Sequence, residues 1–334
     1  MGVALRDIIS DYKTPINWES LSGIAAVDAH NALYQFLSII RQPDGTPLMD
    51  QKGRITSHLS GILFRTVNFM EKGILPVYVF DGKPPEFKQQ TIDQRRSARE
   101  EAHDLWQEAL KRGEIAEAYK QARSSSRLNE EIIGSSKILL KLLGLPYVEA
   151  PSEGEAQGAM MVARGDARYI VSQDYDTLLF GGPVLMRNLT ISGKRKVHGR
   201  TVTVTPERII LSEVLQGLNI TREDLVRISI LVGTDFNAGV KGIGAKTALK
   251  LVRNNEFEKV AEEKLPGIDL EDLMTFFLDP PVTEDYTLEW KEPDREGLMK
   301  MLVDGYDFTP DRVEKSLEGL RVKAGQKTLD SWFS

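Results

Sequence analysis

The sequence predicts an α/β protein with a central, mostly parallel sheet flanked by helices. Three apolar runs with strand character each end in aspartate: Gly23 to Asp28, Ile74 to Asp81 and Arg168 to Asp174. They are short, continuous and β-branched, as strands buried on both faces of a parallel sheet are. Between them lie stretches with helical spacing, at Asn31 to Ile40, Thr56 to Met70, Glu130 to Leu143 and Glu155 to Ala163. In open parallel sheets ligands sit beyond the carboxyl ends of the strands, so this alternation predicts that the three aspartates converge on one crevice. Any one of them alone could equally cap the next helix or start a turn.

Lys83 to Arg127 breaks the alternation. The segment is highly charged, nearly balanced in sign, and poor in large apolar residues apart from Leu105, Trp106 and Leu110. A helical stretch that polar cannot be core, so it is expected to project above the crevice as a mobile insertion. The C-terminal half reads as mostly helical. A chain of 334 residues suffices for one large domain. The expected organisation is a single domain over residues 1–318, with the insertion at about 83–127, a helix, glycine hairpin and helix at about 222–253, a helical cap at about 254–318, and a flexible tail over 319–334.

Composition narrows the chemistry. There is no cysteine and there are four histidines, which excludes disulfides, thiolate zinc sites and thiol catalysis and leaves hard, oxygen-ligated metals. No apolar run approaches the roughly 20 residues of a membrane helix, and the N-terminus lacks a signal-peptide layout. A soluble, cytoplasmic protein with no membrane partner is expected. The net charge of −6 argues mildly against nucleic acid, but the distribution does not. Asn254 to Lys300 carries fourteen acids against five bases, whereas Arg187 to Arg208 holds six bases against one acid and Val240 to Arg253 holds four bases and no acid. Each basic run alone could be a solvated face.

Four more acids accompany Asp28, Asp81 and Asp174: Glu153 and Glu155 in Pro-Ser-Glu-Gly-Glu-Ala, Asp176, and Asp235 in Val-Gly-Thr-Asp-Phe. Ser152 with Glu155 three residues on also reads as a capping box at a helix start. Asp174 and Asp176, two apart, point the same way if the chain is extended. Two carboxylates about 4 Å apart repel by roughly 4 kcal/mol at an effective dielectric near 20. Seven together require cations, and magnesium takes only a few carboxylates per ion. Two hard ions then follow, an arrangement suited to phosphodiester hydrolysis. A phosphatase for small esters would use the same acids, and a non-catalytic branch-binding scaffold is a third reading.

These residues resemble the flap endonuclease family, within the structure-specific 5′ nucleases. The resemblance runs in order through Val27-Asp28-Ala29, Tyr34-Gln35-Phe36, Thr56-Ser57-His58-Leu59, Phe80-Asp81-Gly82-Lys83-Pro84-Pro85, Ala150 to Ala156, Ser172 to Asp176 and Gly233-Thr234-Asp235-Phe236. It implies that Asp28, Asp81, Glu153 and Glu155 surround one metal ion and Glu155, Asp174, Asp176 and Asp235 the other, with magnesium as the ion and manganese as a substitute. The 83–127 insertion resembles the family's helical arch, with Lys88 and Arg95 at the positions that reach the scissile phosphate. Tyr34 falls where the family stacks a ring on the base beside the cut, although it could simply be core. Gly242, Gly244 and Lys246 resemble a helix-two-turn-helix that grips duplex DNA, often with a monovalent cation, and Arg65 and Lys83 are further candidate DNA contacts. Without that context Gly-x-Gly is weak, and the helix expected before it excludes a dinucleotide site.

The chain ends with Gln326, Leu329, Trp332 and Phe333 on a polar tail, a compact apolar anchor for a partner's groove. These residues resemble the sliding-clamp motif of PCNA partners. The eukaryotic members continue into a basic extension, so the resemblance is to an archaeal type. The implied protein is a monomer that acts on 5′ flaps, nicks and gaps in replication and repair.

Overall fold

The computed structural model describes residues 2–190, 193–197 and 200–324; the expected clamp anchors Gln326, Leu329, Trp332 and Phe333 lie outside them. The strands are β1 (Thr14–Pro15), β2 (Gly23–Asp28), β3 (Ile74–Phe80), β4 (Tyr147–Glu149), β5 (Tyr169–Val171), β6 (Val184–Arg187), β7 (Gly193–Val197), β8 (Arg200–Val204) and β9 (Glu207–Ile210). Seven of them form one sheet in the order β1-β9-β6-β5-β2-β3-β4, and β7 and β8 pair as a separate hairpin. The five strands β6-β5-β2-β3-β4 run parallel, while β9 is antiparallel to β6 and to β1. With β2 between β3 and β5, the carboxyl ends of all three open on the same edge.

The two-residue period of a strand sorts the core into two layers. Ala26, Val77, Val79 and Ile170 face one cluster, and Ala25, Val27, Tyr78, Phe80, Tyr169 and Val171 face the other. Both faces are covered, as continuous apolar strands require. The helices Ala29–Ile39, Ser57–Glu71, Glu130–Leu142 and Pro310–Ala324 cover the second face, and Gly154–Arg164, Arg222–Val232 and Leu270–Leu278 the first.

The insertion is an antiparallel pair of helices, Gln89–Lys111 and Ile115–Ser124, turning at Gly113 with φ +72°. It carries its own small core of Trp106, Ala109, Ala118 and Ala122. Alanine supplies this seam, which is why the segment looks coreless when only large apolar residues are weighed. Its outgoing leg is docked as well. The Arg41 guanidinium donates to Gly45 O at 2.6 Å and to Ser126 Oγ at 2.9 Å. Gly45 lies so close that a Cβ there would stand 2.9 Å from that of Ala122.

Three expectations need correction. The 254–318 region is only partly helical: residues 279–294 are neither helix nor strand. Pro280, Pro281 and Pro293 remove donors there, and the strap is fixed instead by Thr283 N to Gln157 Oε1 (2.8 Å), Lys291 N to Gly144 O (2.8 Å) and Trp290 Nε1 to Pro76 O (3.2 Å). The tail does not begin at 319, because helix Pro310–Ala324 runs on and buries Leu320. The C-terminal half is not helical from its start, because the basic run after Arg187 forms β7, β8 and β9. Among the described residues no helix is long and apolar enough to cross a membrane.

Candidate active site

Each of the seven acids is placed by a specific local device. Asp28 ends β2 and caps the next helix, accepting from Asn31 N at 2.9 Å, and it also accepts from Ser172 Oγ at 3.0 Å. Asp81 directly follows β3, and its Oδ1 accepts from Gly154 N, the first amide of helix Gly154–Arg164, at 2.7 Å. The Asp81 N–H donates to His30 Nδ1 at 3.1 Å. Glu155 accepts from Ser172 Oγ at 3.1 Å and Thr177 Oγ1 at 3.2 Å. Asp174 accepts from Gly2 N at 2.8 Å and Asn31 Nδ2 at 2.9 Å, and Asp176 from Val3 N at 2.6 Å. Glu153 pairs with Lys88 Nζ at 2.6 Å, and Asp235 pairs with Arg95.

All seven line a single cleft of about 390 Å³, shared with Tyr34, Lys88, Arg95, Arg99 and Arg123. The sheet edge supplies the acids and the insertion supplies the bases. Tyr34 is cleft wall rather than core, with the Arg99 guanidinium 5.0 Å from its ring centroid.

Two local expectations fail. The capping box at Ser152 does not form: Glu153 is the residue before the helix, Ser152 Oγ is buried without a hydrogen-bond partner, and Glu155 turns to Ser172 and Thr177. Asp81 takes the cap role through space. Nor do Asp174 and Asp176 share an extended chain, since β5 stops at Val171 and Asp176 opens the short helix Asp176–Leu179. Their carboxylates still meet in the cleft because the N-terminal segment holds both. Gly2 is required there, as a Cβ would fall 2.6 Å from Asp174 Cβ.

Other candidate residues lie elsewhere. Arg65 is half-buried on helix Ser57–Glu71, where burial lowers its pKa, and Lys83 is exposed beside Pro151; neither lines the cleft. Gly242, with φ +86°, and Gly244 are exposed between helices Arg222–Val232 and Ala245–Arg253, and Lys246 is exposed on the first turn of the second helix. The sequence reading missed Asn31, His30, Ser172, Thr177 and the backbone of Gly2 and Val3. Only Asn31 carried a signal, standing three residues after Asp28.

The acids are held against their electrostatic preference. Burial, then repulsion from Asp81, pushes Asp28 up to about 8. Burial and Asp81 likewise raise Glu153 to about 7, and burial with Asp235 and Asp174 raises Asp176 to about 7. Glu155 is raised well above the carboxylate range by burial and by Asp176 and Asp28. Lys88 is partly destabilised by burial, but Glu153 and Asp81 outweigh that and raise its pKa, so it stays charged. An all-oxygen cluster crowded enough to retain protons near neutrality fits hard divalent cations. Among the described residues no three such side chains form a ready-made cage for one ion. The acids ring an open cleft, which suits an ion that keeps several waters and takes phosphate oxygens as further ligands.

The raised values fix a sign. Asp28, Glu153 and Asp176 are all raised above the ordinary carboxyl range. The metal-free folded state therefore binds more protons than the unfolded chain, and its stability falls as pH rises from about 4 to about 8. A divalent ion held by the ionised acids would oppose that loss. Millimolar magnesium is expected to raise the melting temperature by roughly 3 °C or more at pH 8 and hardly at all at pH 5. Calorimetric melts with magnesium or with chelator check this.

Comparison with known proteins agrees with this geometry. The profile of the XPG N-terminal domain matches residues 1–102 and that of the XPG I-region residues 144–235, and the two stretches contain all seven acids. Flap endonuclease 1 of Methanoregula boonei is 66% identical over 333 residues, covering 100% of both chains. The chain belongs to the flap endonuclease family. The Pyrococcus furiosus member is 55% identical over 340 residues, with 100% of this chain and 99% of that one covered. The solved flap endonuclease-1 of Methanococcus jannaschii superposes with a TM-score of 0.79 at 43% identity, covering 98% of this chain and 100% of the other. The family's sheet and its helices are thus the fold described above.

Proposed function

We propose that this flap endonuclease-family chain is a structure-specific 5′-flap endonuclease with an associated 5′-to-3′ exonuclease activity, acting in Okazaki fragment maturation and repair. The observation that carries the reading is the convergence of seven carboxylates beneath Lys88 and Arg95 in one cleft. Asp28, Asp81, Glu153 and Glu155 would hold one magnesium ion and Glu155, Asp174, Asp176 and Asp235 a second, with manganese as a substitute. When bound, such a pair of ions supplies an activated water and neutralises the leaving oxygen.

The protein's own groups do the rest. Lys88 and Arg95 sit on Glu153 and Asp235, and an incoming phosphate exchanges a carboxylate oxygen for a phosphate oxygen at each cation. Lys88 is permanently charged and stabilises developing negative charge rather than taking a proton. Tyr34 offers its ring to the base beside the cut, with a nucleobase displacing the Arg99 guanidinium. The arch helices exclude duplex from the cleft and admit a single strand. At the second site, helix Ala245–Arg253 starts at Gly244 with no side-chain cap, and its amides with Lys246 suit a duplex phosphate. A monovalent cation in that hairpin, PCNA docking through Gln326, Leu329, Trp332 and Phe333, and a monomeric state complete the proposal.

Matched flap, gap, bubble and Holliday substrates test it. The expected result is preferential cutting at the flap base, leaving a 5′-phosphate and a 3′-hydroxyl. Equal turnover of a small phosphomonoester and flap DNA would overturn the reading.

A further inference from the structure

Asn31 stands between the two groups of acids. Its backbone N–H donates to Asp28 Oδ1 at 2.9 Å, and its side-chain Nδ2 donates to Asp174 Oδ2 at 2.9 Å. The amide orientation is unambiguous. A carboxylate only accepts, and the Gln173 backbone N–H, which only donates, meets Asn31 Oδ1 at 3.3 Å. One helical turn on, Gln35 donates Nε2 to the same oxygen, filling its second lone pair, and Thr190 Oγ1 donates to Gln35 Oε1. The bonds from Thr190 through Gln35 and Asn31 to Asp174 all point one way, so each polarises the next and the chain ends on the carboxylate.

We propose that Asn31 is a positioning residue that sets the separation of the two ion sites, joining Asp28 of one group to Asp174 of the other through a single turn of helix Ala29–Ile39, with Gln35 and Thr190 locking its amide. The inference rests on the two-ion reading above. It has an asymmetric consequence. Asp28 is held by the Asn31 backbone, which survives any non-proline substitution, whereas Asp174 is held by the side chain and would be left with Gly2 N alone among these donors. Removing the side chain therefore loosens the ion beside Asp174 and spares the one beside Asp28. Groups that orient a metal ligand from behind commonly govern affinity in this way.

The test is a calorimetric titration of the DNA-free full chain with Mn²⁺, with melts to verify folding. Wild type is expected to bind two ions. Asn31→Leu should weaken one of them roughly tenfold or more and leave the other within about twofold of wild type. Asn31→Ser and Gln35→Met, milder changes to the same chain of bonds, should weaken the same ion by less, and they provide the reading if Asn31→Leu fails to fold. Flap cleavage by the variants should recover as Mn²⁺ is raised, which a general structural defect would not show. Wild-type affinity at both sites in Asn31→Leu, or loss of activity that added metal does not restore, overturns the inference alone. A wild-type chain that binds no pair of ions overturns the proposed function and this inference together.

Discussion

Replacing Asp174 or Asp235 with alanine is expected to abolish cleavage, by on the order of 10³-fold or more, equivalent to about 4 kcal/mol of transition-state stabilisation. Asp174 lies on the N-terminal side, tied to Gly2 and Asn31, and Asp235 on the side of the helical insertion, tied to Arg95. Each removes a negative group from a cleft whose acids are already raised by burial and by their neighbours' charge. Binding of flap DNA should survive, because affinity comes mainly from phosphate contacts and deleting an acid weakens repulsion. Single-turnover cleavage set beside equilibrium binding in calcium separates the two effects. Retained turnover in either variant contradicts the proposed role.

The second large effect is expected at Lys88. Its ammonium contacts Glu153 at 2.6 Å and lies 5.2 Å from the Phe236 ring centroid, so Lys88→Met keeps the length and the apolar contact while removing the charge. The cleavage rate should fall by roughly 10²- to 10³-fold, the usual cost of losing one preorganised electrostatic contact to the transition state. Metal affinity should change in the opposite direction. On the proposed function Lys88 would compete with a cation for Glu153, so the variant should bind divalent ions more tightly while cutting more slowly. A rate defect that simply tracks weaker metal binding would show that Lys88 acts through the metal site and not on the phosphate.

How much of this was legible in sequence depended on where each interaction resides. The strand ends at Asp28 and Asp81 could be read because continuous apolar runs lead into them and an α/β alternation aims them at one edge. β4, β6 and β9 are only three or four residues long, and tertiary pairing rather than local pattern defines them. The clustering of all seven acids was legible, but how they are held was not. Gly2 and Val3 act through backbone N–H groups, and although only glycine fits at position 2, nothing near it in the sequence names Asp174 as its neighbour. The Ser152 to Glu155 pattern misled because two hydroxyls distant in sequence, those of Ser172 and Thr177, hold Glu155, while Asp81 accepts from the Gly154 amide at the helix start. The insertion was legible as a helical excursion, but its seam was not, since its core is built mainly of alanine packed on Trp106.

The central claim is that this crowd of acids exists to hold a pair of hard cations against a phosphodiester. Anomalous scattering from Mn²⁺ in crystals of the chain with cleaved flap DNA tests it most directly. The account predicts two peaks about 4 Å apart, one within reach of Asp28, Asp81 and Glu153, the other of Asp174, Asp176 and Asp235, with Glu155 between them. A cleft that binds the DNA phosphate with no metal peak, or a peak at some other group of residues, would contradict it.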